Sequence, residues 1–449
     1  MMIFWSSCLN YIYSGHFQIS LLAMVDKNKQ NKTKGIYELM QKDFGPRYEW
    51  SVVAEGQLVA SFFYGLTVMS LPSGIISEYF GPFRIVLASN ILTAIFICVA
   101  VLVAGNNWIP LFVCRFFIGL LGGTKLTALM ILIANWAPSN EKSTFTSCLL
   151  GYGFGSLITP FCGSIIIETM NWQWSFYGTA VATVVFLVAW IILVADHPIE
   201  SWFCSTEEAE FIERSQEGAV RKGWIKPPVI KMMTSIPFIS SILGNFGAMS
   251  GLFLSVTLFP KFLREALKFD LQTIGLIAPL PSVSRISMGI VYAAFVHMAL
   301  NRWNVKKKYI RKGFVICSHI IPGIVFLLYL INLVTIFGNV LAVWLTVLSC
   351  FFMGGSIVTT LVNPQDLAPN FAGTQTGILT FFGAMPGFIL PAISSKITEE
   401  CSELPEWAII FAIVGCIYLV TGITFIVFGS AELQPWNEKK DERQEQITI

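Results

Sequence analysis

Three cationic side chains inside long apolar stretches are the first candidates for chemistry in this sequence. Arg115 and Lys125 share one such stretch, and Arg285 lies near the middle of another. An ionisable group at the depth of a bilayer costs at least a few kcal/mol, so it usually faces a cavity or a partner. A guanidinium or ammonium group held there attracts anions. These three residues therefore predict a binding site for a small anionic substrate.

Each cation also has a plainer interpretation. Arg115 lies close to one end of its stretch, where a long side chain can reach the membrane interface. Lys125 is nearer mid-span, where an amine can remain neutral in apolar surroundings. Arg285 has no such alternative, because a guanidinium stays protonated in proteins. The sequence therefore favours Arg285 most strongly as the centre of an anion site.

The composition indicates the kind of structure that positions these residues. Hydrophobic residues make up 55% of the 449 residues and charged residues only 12%, whereas a soluble domain carries about 25% charged residues. Too few polar residues are present to cover globular surfaces, and the composition also excludes disorder and a secreted disulfide scaffold. The prediction is an all-α protein that crosses the lipid bilayer several times.

Twelve stretches are long enough to cross a bilayer, which takes about 20 mostly apolar residues. The longest interior polar segment separates them into six and six. The predicted organisation is an N-terminal half at 1–195, a cytoplasmic central loop at 196–235, a C-terminal half at 236–429 and a cytoplasmic tail at 430–449. The predicted spans are 3–25, 52–76, 85–104, 109–135, 144–167, 175–195, 236–258, 271–298, 313–333, 338–361, 373–394 and 408–429.

The first of these spans is the most polar. It contains Asn10, His16 and Gln18, which lower its hydrophobicity without adding a full charge. It is therefore predicted to be a true span that faces a polar cavity.

Loop charges and a glycosylation sequon predict the orientation. With both termini in the cytoplasm, the cytoplasmic segments contain sixteen lysines and arginines and the opposite loops contain ten, in the direction of the positive-inside rule. Asn31 begins an Asn-Lys-Thr sequon in the first opposite loop and is predicted to carry a glycan. The membrane itself stays open, between the plasma membrane and the membrane of an intracellular vesicle or lysosome.

Five segments resemble a known family in the right order and at the right spacing. They are YEW with SFFYG in the second span, WAPSNEKS after the fourth, MNWQWSFYG before the sixth, NPQDLAPNFAGTQTGI after the tenth, and AELQPW in the tail. The chain resembles the anion transporters of the major facilitator superfamily that include sialin, the vesicular glutamate transporters and the type I sodium–phosphate cotransporters.

The resemblance implies a fold and a function. The fold is the major facilitator fold, with twelve transmembrane helices in two six-helix halves around a central site. The function is secondary active transport of small organic or inorganic anions, carboxylates or phosphate, by alternating access, with H⁺ or Na⁺ as a possible coupling ion.

The resemblance also implies roles for three residues outside the anion site. Glu78 and Arg84 lie in the turn after the second span, where the superfamily uses an acidic and basic pair in gating. The alternative is a solvated turn with a weak surface pair. Asp366 matches a family aspartate and is predicted to serve folding or gating.

The sequence departs from the family at several positions, one of them in the fourth span. The family's glutamate in the fourth span falls on Gly122, so the usual proton coupling is not implied here. This departure keeps an alternative open, in which the chain is a transport-deficient receptor or sensor, or an uncoupled anion channel.

Other classes of function find little support. The sequence has no nucleotide-binding loop, metal-ligand spacing or nucleophile arrangement, so it predicts no enzyme, cofactor or metal. A net charge of +2 gives no reason to expect nucleic acid as a partner.

Overall fold

The computed structural model describes most of the chain, and its regular structure there is helical apart from one isolated β-bridge between Val25 and Tyr48. The described residues are 1–25, 44–137, 145, 148–216, 227–303, 307–331, 338–359, 363, 367–368, 371–399 and 401–437.

Six spanning helices form the N-terminal half. They are α1 (Met2–Met24), α2 (Val52–Ser70, continued as Ser73–Phe80), α3 (Pro82–Val103), α4 (Ile109–Trp136), α5 (Gly151–Thr169) and α6 (Trp172–Leu193). All six contribute buried apolar residues to one core, for example Leu9 of α1, Ile118 of α4 and Phe186 of α6.

The C-terminal half repeats this plan with more interrupted helices. They are α7 (Ile236–Phe253, then a π-helical turn Leu254–Leu258 and Phe259–Glu265), α8 (Leu271–Ile277 and Leu280–Asn301), α9 (Lys307–Val315, a π-helical turn Ile316–Ile320 and Ile321–Leu327), α10 (Asn339–Met353 and Ser356–Thr359), α11 (Ala372–Ala384 and Pro386–Ile397) and α12 (Leu404–Phe428). A second core, with Phe262 and Phe411 inside it, holds them together.

The helices have the length and composition of membrane spans. Among the described residues, nine helices are long and apolar enough to cross a bilayer, and the helix Asn339–Met353 of α10 is apolar but shorter. The other two, α1 and α5, are diluted by polar residues and glycines. The predicted all-α fold of twelve spans in two halves is confirmed.

Because the number of spans is even, both termini lie on one side of the membrane, called here the terminal side; the other is the distal side. The segment between the halves contains the short helices Pro198–Glu200, Thr206–Gln216 and Val229–Met233. Ser205 caps the start of the second of these helices, because its hydroxyl oxygen accepts a hydrogen bond from the Glu208 N–H at 3.2 Å.

The halves pack together through small residues on the distal side. Gly56 of α2 faces Ser395 of α11, and Gly275 of α8 faces Ser164 of α5 so closely that a Cβ on either glycine would collide. Small side chains let helices approach closely in lipid, where dispersion contacts rather than the hydrophobic effect hold them. The structure is therefore closed on the distal side.

Candidate functional site: a polar interface between the halves

Two adjoining voids lie at mid-membrane, one between the halves and one beside it within the C-terminal half. The first is bounded by Tyr11 and Gln18 of α1, Ser156 of α5 and Ser282 of α8. The second is bounded by Ser282 again, together with Arg285 of α8 and residues of α7 and α10. Hydroxyl and amide groups from both halves therefore meet at the first void, with the Arg285 guanidinium beside it, which is the arrangement that an alternating-access site requires.

Arg285 is the cation that reaches this interface. It lies one turn after Ser282 on α8, and its Nε is buried without a hydrogen-bond partner among the described residues. Its electrostatic neighbours are Tyr11 of α1, Cys350 of α10 and Tyr418 of α12. No carboxylate of the described ranges lies within 4 Å of it, so the guanidinium has donors available for an anion.

Arg115 lies elsewhere, inside the N-terminal half. Its side chain is fully buried, and one terminal nitrogen donates to the Tyr13 carbonyl of α1 at 2.8 Å. The guanidinium carbon lies 4.2 Å from the ring centre of Phe17 and 5.3 Å from that of Phe62. These contacts tie α4 to α1 and α2, and the side chain does not border either void.

Lys125 is also enclosed within the N-terminal half. Its Nζ donates to Thr93 Oγ1 of α3 at 3.2 Å and lies 4.1 Å from the ring centre of Tyr13. The Tyr13 hydroxyl in turn donates to Asn90 at 2.8 Å and lies 3.0 Å from Thr183 Oγ1. These five residues form the N-half polar cluster, which joins α1, α3, α4 and α6. Lys125 and Arg285 are therefore not brought together.

Two polar residues of α1 also point to different places, one to the interface and one into the N-terminal half. Gln18 borders the first void and donates to Thr257 Oγ1 of α7 at 3.3 Å. His16 instead lies within the N-terminal half, with its Nδ1 2.8 Å from the Ile12 carbonyl and its ring edge-on to Phe176. Helical geometry explains the difference, since residues two apart on a helix point about 200° apart.

The other sequence-predicted residues lie away from the voids or outside the described residues. Arg84 is exposed in the first turn of α3, and Glu78 falls in the helix Ser73–Phe80, with its side chain outside the described part. Asp366 and Asn31 lie outside the described residues, so their predicted roles stay predictions.

Asp196 holds the turn between α2 and α3, a role that sequence reasoning missed. Its Oδ1 accepts a hydrogen bond from the Phe83 N–H at 2.7 Å. Gly81 stands there with φ of +85°, and a Cβ on it would come within 2.7 Å of Asp196 Oδ2. The carboxylate thus binds the start of α3, where free N–H groups favour an anion. The only sequence signal was an aspartate directly after the sixth span, over a hundred residues from its partner.

Tyr11 and Ser282 were also missed as residues of the interface. Ser282 could have been found, because it precedes Arg285 by three positions and so lies on the same face of α8. Tyr11 gave no comparable signal, since its neighbour Arg285 belongs to the other half of the chain.

Comparison with known proteins places this interface in a wider context. The model of the Major Facilitator Superfamily matches residues 19–391. Sialin of Ovis aries is 26% identical over 435 residues, covering 94% of this chain and 86% of its own length. Sodium-dependent phosphate transport protein 1 of Mus musculus is 24% identical over 421 residues, covering 93% and 90%.

Solved structures share the fold. A D-xylose–proton symporter superposes with a TM-score of 0.66 at 15% identity, covering 96% of this chain and 97% of that one. The partially occluded inward open conformation of the xylose transporter XylE from E. coli gives 0.67 at 14% identity, covering 95% and 97%.

Proposed function

The chain belongs to the major facilitator superfamily, and from this premise we propose that it carries a small anion across the membrane by alternating access, with Arg285 as the group that binds the anion. It is an integral multi-pass membrane protein and a secondary transporter, not an enzyme. The single observation that carries the anion proposal is a guanidinium beside the interface between the halves, near Tyr11 of α1, with a buried Nε that lacks a partner among the described residues.

The surroundings of Arg285 support this role. A guanidinium offers several N–H donors in a planar fork that fits a carboxylate or a phosphate. Tyr11, Gln18, Ser156 and Ser282 line the adjoining void and supply hydroxyl and amide groups for the rest of the substrate. An anion bound there contacts both halves, so its binding energy can favour the closed arrangement over the open ones.

The relatives also indicate which anions to test as substrates. Their names, sialin and sodium-dependent phosphate transport protein, indicate a carboxylate and phosphate as the first substrates to test. H⁺ and Na⁺ are the coupling ions to test with them. Arg115 and Lys125 are assigned to the framework of the N-terminal half, because neither borders the voids.

The decisive experiment is uptake into proteoliposomes containing the full chain. Carboxylates, sialic acid and inorganic phosphate are offered with and without H⁺ and Na⁺ gradients. Arg285→Ala should abolish uptake of the transported anion at normal levels of folded protein, and Arg285→Lys should restore only part of it, because an ammonium lacks the fork. Arg302→Ala, which removes an exposed arginine at the end of the same helix, is the matched control.

Two outcomes would contradict the proposal. Normal anion uptake by Arg285→Ala would assign this charge to packing. Absence of gradient-driven uptake of any anion by the parental chain would favour the transport-deficient receptor or the uncoupled channel.

A further inference from the structure

A mostly buried lysine joins the two halves on the distal side. Lys261 Nζ of α7 lies 3.7 Å from Glu55 Oε2 of α2 and 3.8 Å from Glu265 Oε1 of its own helix. The side chains are 13%, 5% and 5% exposed, respectively. One ammonium group therefore contacts a carboxylate from each half.

The two carboxylates are held differently. Glu265 Oε2 accepts a hydrogen bond from the Ser402 hydroxyl, and that hydroxyl oxygen accepts another from Trp407 Nε1 of α12 at 3.1 Å. Lys261 and Glu265 are thus fixed within the C-terminal half. Glu55 belongs to the first turn of α2 and moves with the N-terminal half.

The Glu55–Lys261 pair lies at the contact between the two halves on the distal side. Gly56 follows Glu55 directly and packs against Ser395 and the Pro391 carbonyl of α11. The Gln18–Thr257 hydrogen bond also crosses between the halves. Separation of α2 from α7 and α11 on the distal side must break the Glu55–Lys261 contact and leave the Lys261–Glu265 contact intact.

We propose that Glu55 and Lys261 form a distal latch, an ion pair present only when the distal side is closed, with Glu265 positioning the lysine. This latch rests on alternating access rather than on the anion site. A contact made in one state only shifts the balance between states by its own free energy. Removal of either partner therefore favours opening of the distal side.

The test measures access to the closed interface in proteoliposomes containing the full chain. Ser395→Cys places a reporter thiol at a buried position facing Gly56, and a membrane-impermeant maleimide is the probe. Labelling of the peptide that contains position 395 is read by mass spectrometry, which separates it from the native cysteines. Lys231→Met, at an exposed lysine on the terminal side, is the matched control.

We expect Glu55→Gln and Lys261→Met each to raise the labelling rate by about five- to 150-fold, the range typical of a coupling between two sites. The double variant should label no faster than the faster single variant, because both changes remove one shared interaction. A labelling rate equal to the parental rate in either folded single variant would overturn the latch. A double variant whose labelling rate rises by the product of the two single factors would overturn it as well.

A conservative variant keeps the test decisive should Glu55→Gln fail to fold. Glu55→Asp retains the charge but withdraws the carboxylate from Lys261 by one methylene, so labelling should rise by a smaller factor; an unchanged rate would equally overturn the latch. Labelling at position 395 is measured in the absence of any anion, so it does not report on binding at Arg285. Failure of the latch and failure of the anion site are therefore distinguishable.

Discussion

Lys125 and Arg285 are both cations at mid-membrane, yet their surroundings differ in kind. Lys125 lies against the Tyr13 ring within one half, whereas Arg285 lies beside the interface, near Tyr11 of the other half, with an unpartnered Nε in the described structure. The sequence could predict that both lie within the bilayer, because both interrupt apolar stretches. It could not predict the direction of Lys125, because the face of α4 that turns towards α3 is fixed by packing.

Replacement of Lys125 by methionine tests its assignment to the framework. Lys125→Met removes an ammonium whose desolvation is costly and fills a similar volume, and such replacements of buried charges are often neutral or stabilising. We expect the free energy of unfolding to stay within about 2 kcal/mol of the parental value, measured by thermal melting in detergent. The KM for anion uptake should stay within about twofold, since a residue outside the binding site contributes no differential binding.

Lys125→Glu is the contrasting variant. It would bury a carboxylate beside the Tyr13 ring, and the N-half polar cluster would then contain no cation to pair with it. This variant should lose most of its folded protein. A tenfold rise in KM for Lys125→Met would return Lys125 to the anion site.

At the scale of helices, the spans were predictable and the interruptions were not. Long apolar runs fix where a helix crosses the bilayer. The π-helical turns of α7 and α9 precede Pro260 and Pro322, and α11 restarts at Pro386. Proline lacks the N–H of a regular helical bond and clashes with the preceding turn, so its position signals a bend. The kind of bend depends on neighbouring helices and could not be read from the chain.

The contact between α2 and α4 depends on glycines, because their lack of a side chain lets the backbone of the other helix approach closely. A Cβ on Gly119 would collide with the Phe62 carbonyl, and one on Gly65 would collide with the Phe116 carbonyl. Because backbone atoms cannot turn aside as a side chain can, Gly119→Ala should cost more than the usual 1–3 kcal/mol of overpacking. We expect a large loss of folded protein, measured by size-exclusion chromatography.

Gly178 provides the control for this experiment. It lies in α6, and a Cβ there would meet nothing within 4 Å. Gly178→Ala should therefore leave the yield unchanged or improve it. Equal yields for the two alanine variants would mean that α2 and α4 can separate without loss of the fold.

At the scale of the whole molecule, the contacts between the halves join residues far apart in the chain. Glu55 and Lys261, or Tyr11 and Arg285, are separated by more than two hundred positions. No periodicity within a span indicates such a pairing. The two-half plan was predictable from span number and the central polar segment, whereas the closed distal interface required the packed structure.

Orientation in the membrane is the last property that the whole chain predicts. The basic residues favour cytoplasmic termini, and the sequon at Asn31 would then lie on the opposite side, where glycosylation occurs. In sealed vesicles with the cytoplasmic face outside, a tag after Ile449 should be removed by added protease, while the loop containing Asn31 is protected. Treatment with an N-glycosidase should shift the mobility of the parental chain but not that of Asn31→Gln. A C-terminal tag that survives protease until the vesicles are permeabilised would reverse the orientation and place the distal latch on the cytoplasmic face.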